Sequence, residues 1–185
     1  MLTRPAEASP RAAAADPGAD GGVGVSCSPS AGGGGPAMTR EVRVEPLIAL
    51  VIGFLGARLA GLAGVEALDA WQPALRVGLA LMFVLTGVAH FAPRLRAEII
   101  DMVPPSLPRP GLLVTLTGVL ELAGAVGLLI PATARWAAAG LILLMIAMFP
   151  ANISAARRKT AMGEAIGPRT AQQIVYIAAA ALVLV

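Results

Sequence analysis

Glu121 stands near the middle of an apolar run, Leu112 to Ile130, that carries no other charge. A helix of that length matches the ~30 Å hydrocarbon core of a bilayer, where a lone ionised carboxylate costs several kcal/mol unless it is paired or protonated. Such a group can take up and release a proton. A second charge, Arg58, falls inside another apolar run. At 1.5 Å per helical residue, Glu121 lies ~13 Å and Arg58 ~16 Å from the same membrane face. Two arrangements answer this: the two form an intramembrane ion pair, directly or through water, or Glu121 is protonated and Arg58 reaches polar groups elsewhere. Thr117, Gly118, Gly124 and Ala125 share the face of Glu121, which turns the carboxyl toward protein instead of lipid.

His90 and Asn152 are the next candidates. His90, with Phe83, Thr86 and Gly87 on its face, lies near the end of its apolar run. Its ordinary pKa is close to neutrality, so it can relay protons or hydrogen-bond a quinone carbonyl; capping its own helix is the alternative. Asn152 shares a face with Met145, Met148 and Phe149 and follows Pro150, which frees the carbonyl of Ile146. Asn152 therefore serves either as a polar contact beside His90 or as the repair of a kink.

The elements that position these residues are membrane helices. Of the 185 residues 57% are hydrophobic and 14% charged, and the mean hydropathy is +0.77; ordinary soluble domains are about 25% charged. Five apolar segments are expected: Leu47 to Val65, Leu75 to Phe91, Leu112 to Ile130, Trp136 to Ala155, and Ala171 to Val185. The last is ~22 Å as a helix, short of the ~30 Å core, so either the bilayer thins there or the chain continues beyond Val185. Gly53, Ala57 and Gly61 form one ridge of small residues and Gly56, Ala60 and Gly64 another, the pattern that lets helices close in lipid. Residues 1–37, rich in Ala, Gly, Pro and Ser, read as a disordered tail. Met38 is an alternative start.

Charge sets the orientation. With five crossings, Arg76 and Arg135 fall on one side and Arg58 in the membrane, leaving 11 of the 14 basic residues on the side of the amino terminus. Positive residues favour the cytoplasm, which puts the amino terminus inside and the carboxyl terminus outside the inner membrane. A four-crossing arrangement would strand Leu47 to Val65 in water. Within the connection 93–111, Leu95, Ile99 and Met102 at helical spacing fit a short interfacial helix. Val103-Pro104-Pro105-Ser106-Leu107-Pro108-Arg109-Pro110 then reads as a stiff extended strap, which either covers the mouth of the bundle or simply connects its helices.

Four motifs occur in order: Gly87-Val88-Ala89-His90-Phe91, Val103-Pro104-Pro105-Ser106-Leu107-Pro108, Thr117-Gly118-Val119-Leu120-Glu121 and Phe149-Pro150-Ala151-Asn152-Ile153. Together they resemble the DoxX family of small bacterial membrane proteins, over about residues 74 to 185. The resemblance extends to Arg76, Arg169 and Gln172, and implies a four-helix unit; the additional helix expected at 46–66 precedes that unit and is not part of the family pattern. It marks Arg76, His90, Glu121, Asn152 and Gln172 as functional polar residues, and Pro104, Pro105, Pro108 and Pro150 as structural. Arg58 lies outside the matched region. Several members of that family are associated with membrane redox systems.

Composition limits the functions open to the chain. One Cys, Cys27, and one His exclude an internal disulfide, a CxxC redox pair and bis-histidine haem ligation. No haem, flavin or iron–sulfur motif occurs, and no metal site is expected. The basic residues lie in short clusters between apolar runs, which argues against nucleic acid as a partner. The role that the resemblance implies is a subunit or accessory of a quinone-linked redox complex that itself binds no cofactor, with His90 and Asn152 as quinone contacts and Glu121 handling protons. Its partners are then the lipid bilayer and a redox subunit. A non-catalytic factor that assembles or stabilises other membrane proteins is the alternative. A proton or solute carrier has less support, because no inverted repeat is present.

Overall fold

The computed structural model describes residues 45–160 and 166–185, all within the unit Gly35–Val185. The tail and the alternative start at Met38 lie outside the described residues. Six α-helices occur among the latter, with no strand: α1 (Glu45–Leu62), α2 (Trp71–Ala89), α3 (Pro93–Met102), α4 (Pro110–Leu129), α5 (Ala134–Arg158) and α6 (Ile166–Ala181). Four of them, α1, α2, α4 and α5, are long and apolar enough to cross a membrane. The fifth expected segment lies partly in α6, a helix of 16 residues, ~24 Å long at 1.5 Å per residue.

Local sequence explains where the helices begin and end. Glu45 and Pro46 open α1, where a negative side chain and a residue lacking an N–H both suit a first turn. The helix stops at Gly64, whose φ of 108° suits glycine. Gly64 N–H donates to Gly61 and Val65 N–H to Ala60, the paired bonds that close a helix after its last turn. Thus α1 ends at Leu62, short of the expected Val65. The short helix expected within 93–111 forms as α3, with Met102 buried and Arg94 and Asp101 exposed. Pro110, expected in the strap, instead opens α4, a position that tolerates the missing donor.

α2 is the central helix and the most buried of the four long ones. It packs on α1, α4 and α6; α4 packs on α5, and α5 on α6. Gly53 and Gly78 bring α1 and α2 together, since a Cβ on Gly53 would stand 2.9 Å from the Cα of Gly78. The ridge Gly53-Ala57-Gly61 is therefore consumed inside the fold, whereas Gly56 faces open space. Leu79, Met82, Leu128, Leu141 and Val183 centre the core. Outward faces carry exposed Ile52, Leu59, Leu143 and Ile174. Helices apolar on every side suit a lipid surrounding.

Candidate functional site

His90 caps the carboxyl end of α2 and Glu121 sits in the middle of α4. The two helices meet there because Gly118 has no side chain: a Cβ on it would lie 2.6 Å from that of His90. Both polar residues are consequently buried, His90 to 7% exposure and Glu121 to 2%. The Nδ1 of His90 is 2.8 Å from the Thr86 carbonyl oxygen. Because a carbonyl only accepts, Nδ1 carries a proton and donates it there. The same nitrogen lies 3.8 Å from Oε2 of Glu121, near enough for attraction if the ring is charged but too far for a hydrogen bond. Among the described residues Oε2 accepts no hydrogen bond.

Asn152 belongs to a second polar group. Arg169 Nη2 donates to Asn152 Oδ1 over 3.1 Å, and Asn152 Nδ2 donates to Gln173 Oε1 over 3.1 Å. Gln173 Nε2 then donates to the carbonyl of Met145, 2.5 Å away. A guanidinium can only donate and a carbonyl can only accept, so every amide in the chain has one orientation. Asn152 thus ties α5 to α6. It is Gln173, from the neighbouring helix, that binds a backbone carbonyl, that of Met145, ahead of Pro150 in α5.

Both groups line one cavity of about 610 Å³. Its walls are mostly apolar and come from α2, α4, α5 and α6, with Glu45 and Pro46 of α1, Leu95 and Ile99 of α3 and Val103 and Leu107 of the strap completing them. Glu121, His90, Asn152 and Gln172 all face it. The strap is therefore part of the wall as well as a connector. Among the described residues no group of three His, Cys, Asp or Glu could hold a metal ion.

The expected Arg58–Glu121 pair does not form. Arg58 donates to the carbonyls of Leu68, at 3.5 Å, and Asp69, and its guanidinium lies 4.0 Å from the Asp69 carboxylate. Of the two arrangements open to Arg58, reaching polar groups elsewhere is the one observed. The reason is geometric: α1 ends one turn beyond Arg58, and it packs on α2, not α4. Equal depth in two helices does not make them neighbours. Arg76 also stands apart from the cavity, half-buried in α2 with its Nε unpartnered among the described residues.

A family model described as Domain of unknown function (DUF8561) matches residues 79–184. The chain belongs to this family. The DUF8561 region begins within α2 and contains His90, Glu121, Asn152 and Gln172, while α1, Arg58 and Arg76 lie outside it. No curated protein and no solved structure matches the chain.

Three residues of the DUF8561 region escaped the reading of the sequence. Arg96 donates to the carbonyl of His90 over 3.0 Å, and to the Gly111 carbonyl and the Thr115 hydroxyl over 2.9 Å each. Arg158 donates to the carbonyls of Asp101 and Val103, and its Nη1 lies 3.8 Å from the Asp101 carboxylate. These two arginines clamp α3 and the strap to the bundle. As charges in basic clusters they looked like orientation signals alone. Gln173, the third, escaped although a signal was there: Arg169 and Gln173 are four apart and share one helix face.

Proposed function

We propose that the chain is a DoxX-like integral membrane protein that contacts a quinone and serves as a subunit or accessory of a membrane redox complex without binding a cofactor of its own. On this reading α1, α2, α4, α5 and α6 all cross the inner membrane, with the amino terminus in the cytoplasm and the carboxyl terminus outside. The observation that carries it is the cavity. At about 610 Å³ it falls in the range of about 300–1,000 Å³ usual for small-molecule sites, and it combines apolar walls with a few convergent polar groups. Such a site suits a flat lipophilic ring with polar atoms at its ends. His90 and Asn152 supply hydrogen-bonding contacts, and Glu121 supplies a group able to exchange a proton.

Purification in mild detergent, followed by identification of co-purifying proteins and extracted lipophilic molecules, tests the proposal. A quinone or a redox subunit is expected, with quinone binding weakened by Asn152→Leu. Finding neither, together with no quinone binding after reconstitution, would overturn it. The outward Gly56, which meets nothing within 4 Å, favours a second reading in which α1 docks on another membrane protein as an assembly factor. In that case a stable complex would survive loss of both His90 and Glu121.

A further inference from the structure

We infer that this cavity takes the hydroquinone form of a quinone in preference to the oxidised form, an inference that rests on the quinone-contact reading above. Its basis is the opposite hydrogen-bonding character of two walls. On one wall Glu121, 2% exposed, presents Oε2, which has no donor among the described residues. His90 cannot supply one, because its Nδ1 proton is held by the Thr86 carbonyl at 2.8 Å and Oε2 is 3.8 Å away. That wall accepts. On the other wall the guanidinium of Arg169 offers only donors, and the bonds through Asn152 and Gln173 run away from it toward the Met145 carbonyl. That wall donates.

A quinone has carbonyl oxygens at both ends of its ring, and each can only accept. It satisfies the Arg169 wall and sets lone pairs against Oε2. A hydroquinone carries hydroxyls, each able both to donate and to accept, so it suits both walls at once. Leaving one buried polar group unpaired lowers affinity by about tenfold or more.

The test uses the full chain in phospholipid nanodiscs under anaerobic conditions, with affinities measured by titration calorimetry. Three probes are compared: a decyl-tailed benzoquinone, its hydroquinone, and the dimethyl ether of that hydroquinone, which keeps the oxygens but lacks the donors. The hydroquinone is expected to bind about tenfold more tightly than the other two. Glu121→Gln places an amide donor where only an acceptor stood, so quinone binding should strengthen and the gap should close. Asn152→Leu should weaken both redox forms alike. Equal affinities in the native protein would overturn the inference and leave the quinone reading in place; a protonated Glu121 donating to the carbonyl would give that result. So would a preference that persists in Glu121→Gln. Binding of none of the probes would remove the quinone reading itself. If Glu121→Gln fails to fold, the comparison in the native protein still decides.

Discussion

Gly118 lies directly against His90, and a Cβ placed on the glycine would stand 2.6 Å from the Cβ of the histidine. The neighbouring atoms belong to the root of the side chain, near the backbone, so a flexible tip cannot swing aside to relieve the clash. Gly118→Ala is therefore expected to push α2 and α4 apart and destabilise the protein by about 1–3 kcal/mol. Gly140→Ala meets nothing within 4 Å and should be neutral or slightly stabilising, since alanine favours helix by up to about 1 kcal/mol. Thermal melting in detergent separates the two.

Coupling between buried groups provides a second prediction. Removing His90 strips Glu121 of its nearest polar neighbour, 3.8 Å away, so His90→Ala and Glu121→Ala should be non-additive by about 1 kcal/mol or more in a double-mutant cycle. Arg58 and Glu121 belong to different contacts. Their cycle, with Arg58→Gln and Glu121→Gln, should be additive within about 0.5 kcal/mol. Strong coupling in the Arg58 cycle would contradict the arrangement described.

The two arginine clamps differ in what they hold. Arg96 bonds two carbonyls and a hydroxyl, and lysine cannot reproduce that fork, so Arg96→Lys should cost about 1.5–3 kcal/mol. Asp101→Asn removes only the exposed side-chain ion pair with Arg158 and should cost less than about 1 kcal/mol. Hydrogen exchange across 93–109 should quicken markedly in Arg96→Lys and hardly at all in Asp101→Asn.

The proposed membrane topology gives a fourth prediction. In a Cys27→Ser background, Thr133→Cys in the turn between α4 and α5 should react with an impermeant thiol reagent added outside intact cells. Lys159→Cys, at the far end of α5, should not. A carboxyl-terminal reporter that is active only outside would test the crossing by α6; an inactive one would limit the chain to four crossings.

Much of the helix pattern could be read from hydropathy, because long uncharged runs have few other stable forms. Burial of Glu121 was also legible, from the small residues around it. Pairing was not. Depth along a helix follows from counting residues, but the choice of Arg58 or His90 as the neighbour depends on which helices touch, and that is set by glycines such as Gly78 and Gly118 at particular crossings. Arg96 and Arg158 were hidden for another reason. An arginine that binds backbone carbonyls has no acidic partner at a telling spacing, so its contacts leave no mark in the sequence.

Arg96 grips the backbone of His90 from a helix that lies outside the long apolar spans. The surface segment and the buried imidazole are thereby mechanically linked, and neither can shift without tugging the other. A displacement of α3 reaches the protein interior through a single guanidinium.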